Sequence, residues 1–350
     1  MSIITSKERG LAPFAGKRLD RFPMWYGGDP ETTKNIVEYL GAKDEDDALY
    51  NILGIDYKTV RPRYIGPEMK TYDDGTVDTV WGIRRGGYFY GQPLNHPLRE
   101  IESLEALATY SFPDPHEWAC EFTQKESIWA KDHCVIGGTW APFFHDSIEL
   151  MGMEEFMIAM YECPEVPDKV VEGCFEFYYD QMKRAFEQNK GEIDMMFVGN
   201  DFGSQRALLC SPAHWRKLFK PHLRKFCDLA HSHGIVTALH SCGDIHDIFP
   251  DLIEIGFDAI NPIQVFAEHM DPIELHKQYG GDVVFFGAID ENVILLTGTE
   301  QEVRAETRRI IDIFGNDGRY IVAASHDYLL PEVPVQNIVA MYDEAKVYCR

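Results

Sequence analysis

The sequence predicts an α/β protein whose fold is a (β/α)8 TIM barrel with a β-hairpin insertion in the N-terminal part. Apolar runs alternate with helical patterns along the chain, and this alternation is typical of a parallel sheet with helical crossovers. About eight such units fit into the 350 residues, a length that favours a closed barrel over an open sheet. No helix opens on a glycine-rich dinucleotide or phosphate fingerprint, which also argues against an open nucleotide-binding sheet.

The first two strands are predicted near the N-terminus. Residues 1–20 are expected to form a lead-in and residues 21–350 a single barrel domain. The first strand is predicted at residues 21–28 and the second at 54–60. A helix is predicted between them at residues 30–41, because a proline opens this stretch and a glycine ends it.

An excursion from the barrel is predicted at about residues 64–90. It contains Asp73-Asp74-Gly75, a turn signal, between extended segments such as residues 79–83. A turn signal between extended segments indicates a β-hairpin, which we interpret as an insertion into the main fold.

The alternation becomes regular in the second half of the chain. The last six strands are predicted at residues 135–140, 195–198, 235–239, 259–265, 283–289 and 320–324. Helical patterns separate these strands, and the connecting helix at residues 165–189 carries its apolar side chains on one stripe. A final helix is predicted at residues 335–348.

The composition excludes several classes of function. The formal charge of −24 repels polyanions, so we expect no nucleic-acid partner. The first 16 residues contain no apolar signal core, and no window approaches the roughly 18 apolar residues of a membrane helix. We therefore expect a cytoplasmic protein without a membrane partner. The eight cysteines show no close pairing and are interpreted mostly as reduced core thiols. The oligomeric state stays open, with a homodimer among the alternatives.

The stretch His240-Ser241-Cys242 is the first candidate for a chemical centre. It ends a predicted strand, in which residues i and i+2 point to the same side, so His240 and Cys242 should project together. An imidazole beside a thiol makes half of a zinc site. By itself this pair is weak evidence, because it occurs often by chance.

Other candidates follow from the rule that barrel enzymes place their chemistry at the carboxyl ends of strands. Polar and aromatic side chains that meet this rule are Trp25, Trp140, Asp201, Gln205, Gln264, Asp290 and His326. Each has a structural alternative: the tryptophans suit the core, the two aspartates suit helix caps, and the histidine suits a buried hydrogen bond. If the barrel closes, His326 faces the same mouth as the His240–Cys242 pair.

Several segments together resemble the uroporphyrinogen decarboxylase superfamily, in particular the branch that includes methylcobalamin:coenzyme M methyltransferases. The segments that carry the resemblance are Asp201-Phe202-Gly203-Ser204-Gln205, Leu208-Leu209-Cys210-Ser211-Pro212, Leu239-His240-Ser241-Cys242-Gly243-Asp244, residues 250–258, Asn261-Pro262-Ile263-Gln264, Gly287-Ala288-Ile289-Asp290, Ser325-His326 and residues 334–338. The resemblance extends from about residue 21 to the end and implies a (β/α)8 barrel.

The resemblance also bears on the reaction. Uroporphyrinogen decarboxylases carry an arginine-rich segment after the first strand, and Trp25-Tyr26-Gly27-Gly28-Asp29 stands there in this chain. The methyltransferase branch holds zinc with a His-x-Cys pair, matched by His240 and Cys242, and a later cysteine. No cysteine lies near the last strand, so His326 is the expected third ligand. An acidic ligand, or no metal at all, are the alternatives.

The function expected from these observations is zinc-dependent methyl transfer to a thiol or another acceptor. The methyl donor would be a corrinoid (cobalamin) on a partner protein or a small molecule. His240, Cys242 and His326 would hold the metal, and Asp201, Gln205, Gln264 and Asp290 would lie around the substrate between Trp25 and Trp140. The alternative is a metal-free decarboxylase or lyase in which Asp201 or His326 handles protons. A non-catalytic tetrapyrrole or corrinoid binder is the third hypothesis.

Overall fold

The centre of the molecule is a curled sheet of seven parallel strands. The computed structural model describes residues 4–87 and 91–348. In chain order, which is also their order in the sheet, the strands are β1 (Tyr57–Val60), β2 (Cys134–Gly137), β3 (Met195–Gly199), β4 (Val236–His240), β5 (Ala259–Asn261), β6 (Val284–Phe286) and β7 (Tyr320–Ile321). The predicted α/β class and parallel sheet are confirmed.

An extended segment, residues 23–25, joins the two edges of this sheet. On one side the Val322 amide donates to Pro23 O at 2.9 Å and the Trp25 amide donates to Val322 O at 3.0 Å. On the other side the Asp56 amide, next to β1, donates to Met24 O at 2.9 Å. The strand predicted at residues 21–28 is therefore reduced to isolated bridges. Pro23 has no amide hydrogen to donate, which limits regular pairing there.

Helices cover the outside of the sheet. Their bounds are Ser6–Leu11, Pro30–Leu40, Leu104–Leu107, Gln124–Asp132, Phe143–Met151, Met153–Glu162, Glu165–Gln188, Pro212–Leu218, Lys220–Ser232, Phe249–Ile255, Pro272–Tyr279, Glu300–Phe314 and Val335–Val347, with π-helical turns at Asp47–Leu53 and Glu291–Leu295. Two of the helical stretches between strands are divided into two helices each. One breaks at Gly152, which has a φ of 88°, and the other before Pro221, which cannot continue a helix from its interior.

The excursion forms a small antiparallel sheet of three strands, Val77–Asp78, Arg84–Gly86 and Gln92–Pro93. The predicted turn at Asp73-Asp74-Gly75 is present, with the Gly75 amide bonded to Tyr72 O. Residues 79–83 are not extended as predicted. They form the connecting turn, in which Gly82 has a positive φ of 71° and its amide donates to Thr79 O. Residues 88–90 of the predicted excursion lie outside the described part.

The lead-in packs against the amino ends of the strands. The Tyr57 hydroxyl donates to Gly10 O at 2.8 Å, which holds the first helix against β1. Arg9 and Arg21 converge on the fully buried Asp56 with nitrogen–oxygen distances of 2.8 and 2.6 Å. The Met24 amide also donates to this carboxylate at 2.9 Å. One buried acid therefore connects the lead-in, the joining segment and β1, although the domain boundary at residue 20 stays a prediction.

Two apolar layers stabilise the sheet. The inner layer lies inside the curl, where Trp25 packs edge to face against Phe197 and Phe286 at ring distances of 5.9 and 5.3 Å. The outer layer is larger and lies between the sheet and the helices. Within residues 4–87 and 91–348, none of the helices has the length and apolar character needed to cross a membrane.

Candidate metal centre

His240 and Cys242 project to the same side at the carboxyl end of β4. The Cys242 Sγ lies 3.5 Å from the His240 Nε2. Ser241 points the other way and accepts a hydrogen bond from the Phe202 amide through its Oγ at 3.0 Å. The geometry expected from strand alternation is thus present.

Asn261, at the end of the neighbouring strand β5, fixes the orientation of the imidazole. Its Oδ1 lies 2.9 Å from His240 Nδ1, and its Nδ2 donates to Phe286 O at 3.3 Å. Because the amide nitrogen already donates elsewhere, Oδ1 is the acceptor and Nδ1 must carry a hydrogen. The opposite nitrogen, Nε2, therefore faces the thiol and is available to bind a metal.

Asp201, just beyond the end of β3, completes a group of three possible ligands. Its Oδ1 lies 3.2 Å from His240 Nε2 and accepts a hydrogen bond from the Cys242 amide at 2.8 Å. The candidate ligand atoms of Asp201, His240 and Cys242 all lie within 4.8 Å of one another. This group combines oxygen, nitrogen and sulfur donors of the kinds that bind zinc in proteins.

Glycines allow the elements around this group to approach closely. A Cβ on Gly199 would lie 2.0 Å from Trp140 Cε2, so the absence of a side chain makes room for the indole beside β3. Gly243 has a φ of 83°, and a Cβ there would lie 2.4 Å from the backbone of Gly203. The loops that carry Asp201 and Cys242 therefore pack backbone against backbone.

The surroundings of His240 favour a positive charge. Burial alone would lower the pKa of His240, but Asp327, Cys242 and Asp201 together raise it well above its ordinary value. Burial would likewise raise the pKa of Asp201, yet hydrogen bonds from His145 and His240 hold it well below its usual range. Burial raises the pKa of the Cys242 thiol to about 11, with His240 acting in the opposite direction. The acidic groups that hold a proton on His240 would also favour a metal cation beside it.

Asp201 and His240 line a cavity of about 930 Å³, and Cys242 lies beside His240. Its lining residues are Arg85, Gln92, Trp140, Pro142, His145, Asp146, Glu149, Asp201, His240, His326, Asp327, Tyr328, Leu330 and Glu332. The volume is within the range of small-molecule sites. Trp140 contacts His240 with ring centres 5.1 Å apart, so an aromatic wall stands next to the candidate ligands.

The chain matches the model of a known protein family over most of its length. A family model described as uroporphyrinogen decarboxylase (URO-D) matches residues 90–348, which is well over half of the chain. The chain belongs to the URO-D family. The expected resemblance is therefore confirmed at the level of the family.

One sequence relative of this URO-D chain and one protein of similar fold are methyltransferases. The methylcobamide:CoM methyltransferase MtaA of Methanosarcina barkeri is 28% identical over 133 residues, which cover 38% of this chain and 36% of the relative. The match thus spans about a third of that curated relative. A solved structure of a methyltransferase from Methanosarcina mazei has a TM-score of 0.65 and 18% identity, and 98% of each chain is covered. At this identity the likeness shows the shared fold.

His326 lines the same cavity of the URO-D chain as Asp201 and His240. Its Nδ1 accepts a hydrogen bond from the Tyr328 amide at 3.1 Å. It is not a member of the group in which Asp201, His240 and Cys242 come together. The structure brings an aspartate to the pair instead, and a ligand role for His326 stays a prediction.

The other predicted site residues occupy different environments. Trp140 lines the cavity, whereas Trp25 lies in the inner apolar layer. Gln264 is buried, and its Oε1 accepts a hydrogen bond from the Gly243 amide at 2.8 Å, so it holds the loop after Cys242. Gln205 is exposed, and Asp290 caps a π-helical turn by accepting from the Val293 amide. Among the lining residues only Trp140 and Asp201 come from the predicted substrate-facing set.

One wall of the cavity, provided by the helix Phe143–Met151, was not predicted from the sequence. His145 Nε2 lies 3.3 Å from Asp201 Oδ2, and Asp146 receives a hydrogen bond from the Tyr178 hydroxyl. Glu149 forms an ion pair with Arg85 of the small antiparallel sheet. These residues follow β2 by a helical turn or more and do not end a strand, so the strand-end rule could not find them.

Replacing Glu291 with glutamine is expected to change how stability depends on pH. Glu291 is 6% exposed, and burial, with a contribution from Asp327, raises its pKa to about 8. Because the unfolded state ionises this acid at lower pH, the wild type should lose stability relative to Glu291→Gln as pH rises from about 5 to 8. The expected loss is about 1.4 kcal/mol for each pH unit.

Urea unfolding of both proteins at several pH values would measure this difference. The exposed Glu300→Gln variant is the control for loss of one carboxylate. A constant stability difference between wild type and Glu291→Gln across this pH range would show that Glu291 does not titrate as described.

Proposed function

We propose that the curled sheet is a (β/α)8 barrel closed by residues 23–25 and that the protein is a zinc-dependent methyltransferase. In this proposal a methyl group moves from a corrinoid on a partner protein, or from a small methyl donor, to a thiol or similar acceptor. The observation that carries the proposal is the meeting of Asp201, His240 and Cys242, whose ligand atoms lie within 4.8 Å of one another, beside a cavity that Asp201 and His240 line.

The proposed protein ligands are Asp201, His240 and Cys242. Three protein ligands with oxygen, nitrogen and sulfur donors are typical of catalytic zinc sites, which keep a further position open for substrate. The Asn261 contact supports this set, since it leaves His240 Nε2 free to bind. His326, expected earlier as the third ligand, lines the cavity and would contact substrate in this arrangement.

Bound zinc would lower the pKa of an acceptor thiol and so favour the nucleophilic thiolate. The chain's own residues would position the reactants. Trp140 limits where an acceptor can lie, because its ring contacts His240. His145 holds the second oxygen of Asp201 at 3.3 Å and keeps that carboxylate directed toward the pair. The cavity of about 930 Å³ has room for a small acceptor thiol.

The relatives support the choice of donor and acceptor. The name of the Methanosarcina barkeri relative states transfer between a methylcobamide and CoM, and the related structure is also titled a methyltransferase. A methylated corrinoid is therefore the proposed donor, and a corrinoid protein is the proposed macromolecular partner.

The direct test is to incubate zinc-loaded protein with methylcobalamin and 2-mercaptoethanol. We expect loss of the methylcobalamin absorbance and formation of an equal amount of methyl thioether. Cys242→Ser should reduce the rate strongly, whereas Cys210→Ser should not, because Cys210 is a thiol of similar partial burial outside the candidate ligand group. Absence of thioether with zinc-loaded wild type and each of several thiols and methyl donors would contradict the proposal.

A carboxy-lyase is the second candidate, and one observation favours it. Asp146 lines the cavity, and burial, opposed by the Tyr178 hydrogen bond, raises its pKa to about 7. A carboxyl group that keeps a proton near neutral pH is suited to acid catalysis. Release of carbon dioxide from a carboxylated tetrapyrrole, unchanged by removal of metal, would favour this function over methyl transfer.

A further inference from the structure

Asn200 directly follows β3 and is fully buried. Its Oδ1 accepts a hydrogen bond from the Phe144 amide at 2.9 Å, and its Nδ2 donates to Ala141 O at 3.0 Å. Its own backbone amide donates to His240 O at 2.9 Å. Because β3 lies between β2 and β4, this one residue connects the segment that follows β2 with the strand end that carries His240.

The segment that follows β2 depends on support from outside itself. Ala141 has a φ of 51°, in the left-handed region that a Cβ disfavours. The helix that begins at Phe143 receives no side-chain cap from Pro142. The first amides of a helix have no acceptor within the helix, and Asn200 supplies one for Phe144. The asparagine therefore stabilises both the turn and the start of the helix.

Two side chains of the cavity are carried by this segment. Trp140 precedes the turn, and its ring centre lies 5.1 Å from that of His240. His145 follows the turn, and its Nε2 lies 3.3 Å from Asp201 Oδ2. Both residues line the cavity. A shift of the segment would therefore move the aromatic wall and the contact that directs Asp201 toward the pair.

The other end of the helix Phe143–Met151 is held by different contacts. The Leu98 amide donates to Leu150 O at 2.8 Å, and His96 Nδ1 lies 2.6 Å from Glu149 O. These contacts do not involve Asn200. Loss of the asparagine side chain should therefore displace the beginning of the helix without detaching the whole element.

We propose that Asn200 is a positioning residue, which sets where Trp140 and His145 stand relative to His240. Since Asn200 is fully buried, it acts through these neighbours and not through contact with a ligand. The inference rests on the proposed function for the reaction that it affects. It adds that the rate depends on a pair of hydrogen bonds behind the cavity wall.

Asn189 offers a matched control. It is 3% exposed, its Oδ1 accepts from the Phe122 amide at 2.8 Å, and its Nδ2 donates to Cys120 O at 2.8 Å. Asn189 follows the helix Glu165–Gln188 and precedes β3, so it lies toward the amino ends of the strands. Asn189→Ala therefore removes the same kinds of contact from a buried asparagine far from the cavity.

The test measures kinetics with 2-mercaptoethanol and zinc affinity by competition with a chelator. Asn200→Ala should lower kcat about 10- to 100-fold with a smaller change in KM, because displaced groups no longer orient the reactants. Its zinc affinity should fall about 10- to 100-fold, because His145 no longer holds Asp201. Asn189→Ala should retain the wild-type kcat and affinity. Wild-type values in Asn200→Ala, or equal losses in folded Asn189→Ala, would overturn the inference.

A second substitution tests the role of the turn. Glycine adopts a positive φ without the cost of a Cβ, so Ala141→Gly added to Asn200→Ala should restore part of the lost kcat. The double variant also serves if Asn200→Ala alone does not fold. Partial recovery supports the inference, and a double variant without recovery would contradict the role given to the contact with Ala141.

Hydrogen exchange separates this inference from the proposed function, because it needs neither zinc nor a methyl donor. Asn200→Ala should speed the exchange of backbone amides within residues 139–149, whereas Asn189→Ala should leave this segment unchanged. Faster exchange there supports the inference even if the wild type binds no zinc and forms no thioether. Unchanged exchange in Asn200→Ala would overturn it even in an active methyltransferase.

Discussion

Replacing His240 with alanine is expected to remove zinc binding and to reduce methyl transfer on the order of 1,000-fold or more. His240 Nε2 lies between Asp201 and Cys242, so its loss removes the central atom of the candidate ligand group. Loss of a direct ligand should exceed the 10- to 100-fold effects typical of residues that only orient a ligand. Metal analysis and the thioether assay would measure the two effects on the same preparation.

The control for this variant is His231→Ala. His231 lies at the end of the helix Lys220–Ser232 and pairs with Asp258 at 2.9 Å, away from the cavity. It should retain the wild-type zinc content and rate. The account of the site would be wrong if His240→Ala remained zinc-loaded and active, or if folded His231→Ala lost zinc and activity to the same extent.

Replacing Asp56 with alanine is expected to produce the largest loss of stability in the chain, about 3 to 5 kcal/mol. The substitution leaves Arg9 and Arg21 without the buried carboxylate that both contact. It also removes the acceptor for the Met24 amide, which belongs to the segment that joins the sheet edges. A buried cation without a partner is more costly than the loss of an ion pair at the surface.

Chemical denaturation would measure this effect against a matched surface pair. Lys169 and Glu172 are both about half exposed, and Glu172→Ala should cost less than about 1 kcal/mol. Equal destabilisation by Asp56→Ala and Glu172→Ala would contradict the role assigned to the buried acid. Because Asp56 lies at the opposite end of the strands from His240, folded Asp56→Ala protein should still bind zinc.

The sequence predicted the parts of the fold that depend on local pattern. Alternating apolar and helical segments located the seven strands of the parallel sheet in the described residues, and strand periodicity placed His240 beside Cys242. The details that failed depend on single residues. Gly82 turns a stretch that otherwise looks extended, and Pro221 divides a helix whose apolar pattern continues through it.

The candidate site could be predicted only in part, because side-chain direction depends on neighbouring elements. Asp201 was found from its strand, but its contact with His240 requires β3 and β4 to be adjacent at their carboxyl ends. His326 also follows a strand, yet its Nδ1 accepts a hydrogen bond from the Tyr328 amide, and it is not in the group of candidate ligands. His145 and Arg61 are positioned by packing against Asp201 and Trp140, which no local pattern records.

Zinc stoichiometry in four purified proteins tests the central claim most directly. Wild type and His326→Ala should each contain one zinc per chain, whereas Cys242→Ala and Asp201→Ala should contain little, because the proposed ligands are Asp201, His240 and Cys242. Circular dichroism would confirm that all four are folded. Wild-type protein that takes up no zinc from a zinc-containing medium, or Cys242→Ala that retains a full equivalent, would contradict the account.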